Sequence, residues 1–121
     1  MMAAKESRLA KIIEYHDEKL WFQKKSNILT LGITVSSVDE IGDIEEVRLP
    51  SDGDDFDKDD IVCEIVGSAG RIQLYTPAAG FVIAVNSVLE SDPAILAEDP
   101  IDEGWIVQIE IQDDTDLKEY L

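Results

Sequence analysis

The chain is poor in the side chains that catalysis and metal binding most often use. Its 121 residues include one cysteine, Cys63, and one histidine, His16. A lone cysteine cannot close an internal disulfide, so nothing here resembles the framework of a small secreted domain. A lone histidine in a polar stretch, with no partner nearby in sequence, makes neither a catalytic set nor a metal-ligand cluster. Cations are scarce as well: 10 Lys and Arg stand against 27 Asp and Glu, a formal charge of −17. Such a surface repels phosphate backbones and anionic lipid, which disfavours nucleic acid and membrane partners. The start, MMAAKESRLAKIIEY, has no apolar stretch of signal-peptide length, and no run elsewhere approaches a bilayer span. The expected location is the cytoplasm.

Hydrophobic residues are not scarce. At 45% of the chain they are too many for a disordered acidic tail, so the negative charge must decorate a folded surface. The length suits one domain over 1–121. Its centre is the stretch 61–85, IVCEIVGSAGRIQLYTPAAGFVIAV. Ile61 to Val66 is an apolar run of strand length that stops at Gly67-Ser68-Ala69-Gly70, where two glycines are expected to supply positive φ for a tight hairpin. Ile72 and Leu74 then alternate with Gln73 and Tyr75, and Pro77-Ala78-Ala79-Gly80 turns the chain into a third strand, Phe81 to Val85. The tip holds one nucleophile, Ser68, with no His or Lys beside it to act as base, so no catalytic residue is assigned there. Cys63 is expected to be a buried, inert thiol.

Before this centre, Leu9, Ile12 and Ile13 lie at helical spacing behind Ser7 as an N-cap, which predicts a short N-terminal helix or arm. Leu20 to Phe22 and Ile28 to Thr34 read as strands joined by a polar loop, Gln23 to Asn27. Ser37-Val38-Asp39-Glu40 has capping-box spacing with Gly42 as C-cap, predicting a short central helical turn. Ile44 to Leu49 reads as a strand ending in Pro50-Ser51-Asp52-Gly53, a Pro-x-x-Gly turn that recurs at Pro77 to Gly80 and hints at internal pseudo-symmetry. Asp55, Asp57 and Asp59 imitate the start of a calcium loop. Asp60 stands where that loop needs Gly and Val66 where it needs Glu, so a solvated loop is the reading and no metal site is assigned.

Beyond the centre, Asn86 to Glu103 reads as an ordered crossover loop broken by Pro93 and Pro100. Trp105, Val107, Ile109 and Ile111 alternate with Ile106, Gln108 and Glu110, predicting an amphipathic strand whose inward face begins at a buried Trp105. Leu117 and Tyr120 behind Asp113, Asp114 and Asp116 predict a short C-terminal helix. About seven short strands with few helical turns give an all-β sandwich or barrel of small antiparallel sheets.

In order and spacing these marks resemble the H-protein family of the glycine cleavage system, relatives of lipoyl and biotinyl carrier domains. Tyr15 and Trp21 stand where the family has Y-x3-H-E-W. Gly32-Ile33-Thr34 is similar to its GIT, Ile41-Gly42-Asp43-Ile44 to its LGD-V, and Leu49-Pro50 is followed by Gly53-Asp54. Tyr75 to Val82, YTPAAGFV, resembles YAPVSGEV; Asn86, Leu89, Pro93, Glu98-Asp99-Pro100 and Gly104-Trp105 resemble N-x2-L-x3-P and EDP-x3-GW. The resemblance covers nearly the whole chain.

It implies a hybrid barrel-sandwich whose hairpin presents a lysine in an ESVKA motif. Lipoate joined there by an amide carries an aminomethyl group between the decarboxylase, the folate-dependent transferase and the dihydrolipoyl dehydrogenase. Counted without a gap, ESVKA falls on Val66-Gly67-Ser68-Ala69-Gly70, so the lysine position is Ala69. An alanine methyl offers no amine. Val66 replaces the motif's glutamate and Lys19 the early histidine; Arg71, whose guanidinium stays protonated, is no acyl acceptor, and Lys58 lies across a strand. The expectation is an H-protein homologue that is not lipoylated, binds no cofactor, and acts as a non-catalytic binding or scaffold module for glycine cleavage or lipoate-handling enzymes. The alternative is a genuine carrier whose arm is attached at an unrecognised site, Ser68 or another lysine. An enzyme is the third reading and lacks a constellation to support it.

Overall fold

The computed structural model describes residues 12–120. Two antiparallel sheets face each other, as the all-β reading requires, and the apolar positions of their inner faces form one core. The larger sheet has six strands, in the order β1 (Ile12–Tyr15), β2 (Leu20–Lys25), β3 (Ile28–Ile33), β9 (Val107–Glu110), β8 (Gly80–Val85) and β5 (Asp55–Phe56). The smaller has three, in the order β4 (Ile44–Arg48), β6 (Ile61–Gly67) and β7 (Gly70–Tyr75). Short helices fill the connections: α1 (Val35–Ile41), α2 (Val88–Ser91) and α3 (Ile95–Glu98), with a 3-10 turn at Thr115–Leu117.

Pairing overrides local pattern in several places. Ile12 and Ile13, expected in a helix, pair with Gln23 and Phe22 as part of β1, while Leu9 and Ser7 lie outside the described residues. β2 continues through Gln23, Lys24 and Lys25, which the polar composition assigned to a loop; they pair with Thr30, Leu29 and Ile28, and the turn is only Ser26-Asn27. The extra strand β5 sits inside the acidic stretch, where half-buried Phe56 pairs with Gly80. The two Pro-x-x-Gly turns do different work at their glycines. Gly53 has φ 89°, whereas Gly80 admits the backbone of β9, since a Cβ there would lie 2.4 Å from the Glu110 carbonyl oxygen.

The central helix begins earlier than the capping-box spacing suggests, with its N-cap three residues before Ser37. Thr34 is that cap and accepts from the Ser37 N–H, while Ser37 is buried inside the helix and donates to the Lys19 carbonyl at 2.6 Å. Gly42, at φ 79°, closes it as expected. The crossover holds two single-turn helices, which bury Leu89 and Leu96 completely. At the C-terminal end the expected helix is only the 3-10 turn: Leu117 is buried, and Tyr120 packs edge-on against Tyr15 and Phe22.

The anchoring tryptophan is Trp21, not Trp105. Leu20 and Phe22 point into the main core, and Trp21, alternate to them on β2, lies over Gly32 with 1% of its surface exposed. Its indole N–H donates to the Pro100 carbonyl at 3.2 Å. Trp105 is only half-buried because the inward phase slips before β9: Ile106 and Val107 are both fully buried. Asn86 imposes the slip by donating its amide to the carbonyls of Glu103 and Trp105, at 2.9 and 2.8 Å.

Candidate functional site: the β6–β7 hairpin and the cleft beside it

β6 and β7 pair in register from Glu64 opposite Gln73 to Gly67 opposite Gly70, so the turn is the two residues Ser68 and Ala69. Both are exposed. None of the residues 67–70 has a positive φ, which corrects the expectation that the glycines serve a left-handed turn. Gly67 is there for space: a Cβ on it would stand 2.2 Å from the Ile41 carbonyl oxygen. The tip leans on the end of α1. Ala69 N–H donates to the Ile41 carbonyl at 2.8 Å, and Ser68 N–H donates to the Asp43 carbonyl at 2.8 Å. Asp43 N–H returns a bond to Ser68 Oγ at 3.1 Å. Three hydrogen bonds tie the tip to the end of α1 and the residues after it, and Ala69 is exposed upon it.

The amines and thiol nearest in sequence are placed away from that tip. Lys58 lies at the opposite end of β6, a seven-residue strand and thus roughly 20 Å long, and pairs there with Glu119 at 3.2 Å. Arg71 is opposite Val66 and bonds Glu64 at 3.3 Å; Glu64 also takes Arg48 at 2.8 Å. Cys63 is buried, and burial pushes its thiol up to about 12, so the nucleophilic thiolate is suppressed. In the acidic loop, Asp54 accepts from Ser51 N–H and Asp60 from Asp57 N–H, each carboxylate tying its own turn. Among the described residues no three His, Cys, Asp or Glu side chains come together as metal ligands would.

A feature with no signature in the sequence lies beside the hairpin. The β1–β2 connection runs through His16, Asp17 and Glu18 at φ 58°, 60° and 65°, three successive left-handed residues that are not glycine. Thr34 and Ser37 hold it there. Thr34 Oγ1 donates to the Glu18 carbonyl at 2.9 Å, Thr34 N–H donates to the Lys19 carbonyl, and Ser37 adds its bond to the same oxygen. The result stacks the His16 ring on Tyr75, centroids 4.4 Å apart, and leaves a cleft of about 300 Å³ between this turn and β7. Polar turn composition at 16–19 was visible in the sequence; its left-handed path depends on α1 packing behind it and was not.

Two facing antiparallel sheets with a hairpin braced at one end define a lipoyl-domain-like barrel-sandwich hybrid. The model of the glycine cleavage H-protein family matches residues 13–121. The chain belongs to that family. It is 35% identical over 108 residues to a glycine cleavage system H protein of Staphylococcus epidermidis, covering 89% of this chain and 86% of the relative. It is 34% identical over 113 residues to one of Listeria monocytogenes, covering 93% and 90%. The crystal structure of a glycine cleavage system H protein from Mycobacterium marinum superimposes with a TM-score of 0.77 at 25% identity, over 84% of each chain.

Proposed function

We propose that this chain is a glycine cleavage H-protein homologue that does not carry lipoate and acts as a non-catalytic binding module. Its partners on this reading are glycine cleavage or lipoate-handling enzymes, met through its acidic surface. The observation that carries the reading is Ala69. An amide to lipoate needs a nucleophilic amine at the presented corner of the hairpin, and the residue exposed there has only a methyl group. Ser68 beside it has its oxygen engaged by Asp43 N–H, and no base adjoins it. The ion pair of Lys58 with Glu119 a strand length away gives no support to attachment elsewhere, and nothing favours the alternative of an unrecognised arm.

The test is intact mass after incubation with lipoate, ATP and a lipoate ligase. Wild type is expected to stay unmodified and Ala69→Lys to gain one lipoyl increment. Val66→Glu with Ala69→Lys is expected to be modified more fully, because the carboxylate introduced in place of Val66 faces Arg71 across the hairpin and restores the acidic residue of the motif. A lipoyl increment on wild type overturns the reading. No increment on the double variant assigns the loss to the turn's shape as well as to its missing amine.

A further inference from the structure

We propose that the open edge of β7 is a docking groove for an extended peptide, which adds to the small sheet with an acidic residue beside Arg71 and an apolar residue beside Ile72. This goes beyond the non-carrier reading and does not depend on Ala69. β7 ends the three-stranded sheet, so one side of its backbone has no strand partner among the described residues. Two observations fix which residues face outward. The two-residue turn makes Gly67 and Gly70 the closing pair, which directs the backbone groups of Gly70, Ile72 and Leu74 toward β6. Independently, Tyr15 Oη donates to the Tyr75 carbonyl from outside the sheet. Alternation then directs the N–H and C=O of Arg71 and Gln73 into the cleft. Among the described residues these groups meet no backbone partner on that side.

The cleft adjoins this open stretch of β7. Its far wall is the left-handed turn and Lys19, and the buried side chains of Leu20 and Ile72 lie beneath. Side chains of an added strand alternate in phase with those of β7. One residue therefore falls beside Ile72 toward the apolar floor, and its neighbour falls beside Arg71 on the outer face. Lys19 in the cleft is already paired with Glu40, so Arg71 is the cation that the cleft offers to an incoming chain. Arg71 uses one nitrogen on Glu64 and is 63% exposed, which leaves guanidinium donors for an incoming carboxylate. A lysine at that place would instead meet the like charge of Arg71.

The experiment reads backbone amides by NMR on the full chain. In the free protein the Arg71 and Gln73 amides are expected to exchange at least about tenfold faster than those of Ile72 and Leu74. Slow exchange at Arg71 and Gln73 shows the edge already covered and overturns the proposal. The probe is an acetylated, amidated pentapeptide of alternating threonine and valine with glutamate at its centre, titrated to millimolar concentration. It is expected to shift and protect the Arg71 and Gln73 amides. Methylating its backbone nitrogens, replacing its glutamate by lysine, or using Arg71→Glu is each expected to weaken binding at least about tenfold. Equal binding of the N-methylated peptide means that only a small-anion site is present, and shifts confined to other surfaces, or none, place no strand here; each overturns the proposal. Lipoate-ligase reactivity does not read this groove and amide exchange does not read Ala69, so either proposal can fail alone.

Discussion

Trp21 and Trp105 show how little residue type alone says about a side chain's worth. Trp21 is enclosed by Gly32 below and the Pro100 segment above, so Trp21→Ala should cost about 3–5 kcal/mol, as large aromatic truncations in cores do. Trp105→Ala should cost clearly less, because Trp105 is only partly buried and its backbone remains held by Asn86. Urea denaturation of the two variants checks the order, and equal losses would contradict the burial difference. Cys63 makes a prediction in pH. Its thiol titrates near 9.0 when unfolded and at about 12 in the fold, because burial disfavours the thiolate. A raised folded value contributes stability that is fully present below the unfolded value and lost as pH rises from 9 toward 12. Wild type should therefore lose more stability than Cys63→Ala between about pH 8 and about 10.5, measured as the difference in urea midpoints. A parallel decline in both proteins would show that other groups govern the alkaline limb.

At the scale of elements, Thr34 joins more pieces than its size suggests. It caps α1 and its hydroxyl and amide hold the carbonyls of Glu18 and Lys19, while the far end of α1 braces the hairpin tip. Thr34→Ala removes a cap worth about 0.5–2 kcal/mol and releases three residues from a left-handed path that costs L-residues on the order of 1 kcal/mol each. Amide exchange should quicken first at 16–19 and in α1, ahead of β2 and β3. The hairpin itself is expected to stay paired, since its own ladder with β4 and β6 does not pass through Thr34. Global acceleration of exchange would mean that α1 is integral to the core's cooperativity rather than a brace upon it.

For the molecule as a whole, the strongest influence outside the core is self-repulsion. With a charge of −17, and with the ion pairs among the described residues on exposed or partly exposed side chains, such as Arg48 with Glu46 and Glu64, like-charge repulsion is expected to outweigh what the pairs return. Added NaCl should raise the thermal midpoint between about 0.02 and 0.5 M, over which the screening length falls from roughly 20 Å to under 5 Å. A midpoint that falls with salt would show that the surface pairs outweigh the repulsion.

Strand content and family were legible because they rest on local or linear information. Apolar runs marked β6 and β8, alternation marked β7 and the Val107–Glu110 strand, turn residues separated them, and the spaced marks from Tyr15 to Trp105 carried the resemblance that the family match bears out. The position of Ala69 at the tip also followed from counting residues. What composition could not carry was anything set by a partner distant in sequence. β1 exists because Phe22 and Gln23 offer it an edge, Gln23 to Lys25 are strand because β3 pairs with them, and Asn86 moves the inward phase off Trp105. Gly67 was read as a residue for positive φ, and only the approach of α1 shows that its missing Cβ makes room for the Ile41 carbonyl. The left-handed run at His16 to Glu18 and the cleft it walls were likewise decided by tertiary structure. His16 and Asp17 are residue types that tolerate the left-handed region better than most, but three such residues in succession persist because Thr34 and Ser37, 15 to 18 residues away, hold the carbonyls of Glu18 and Lys19.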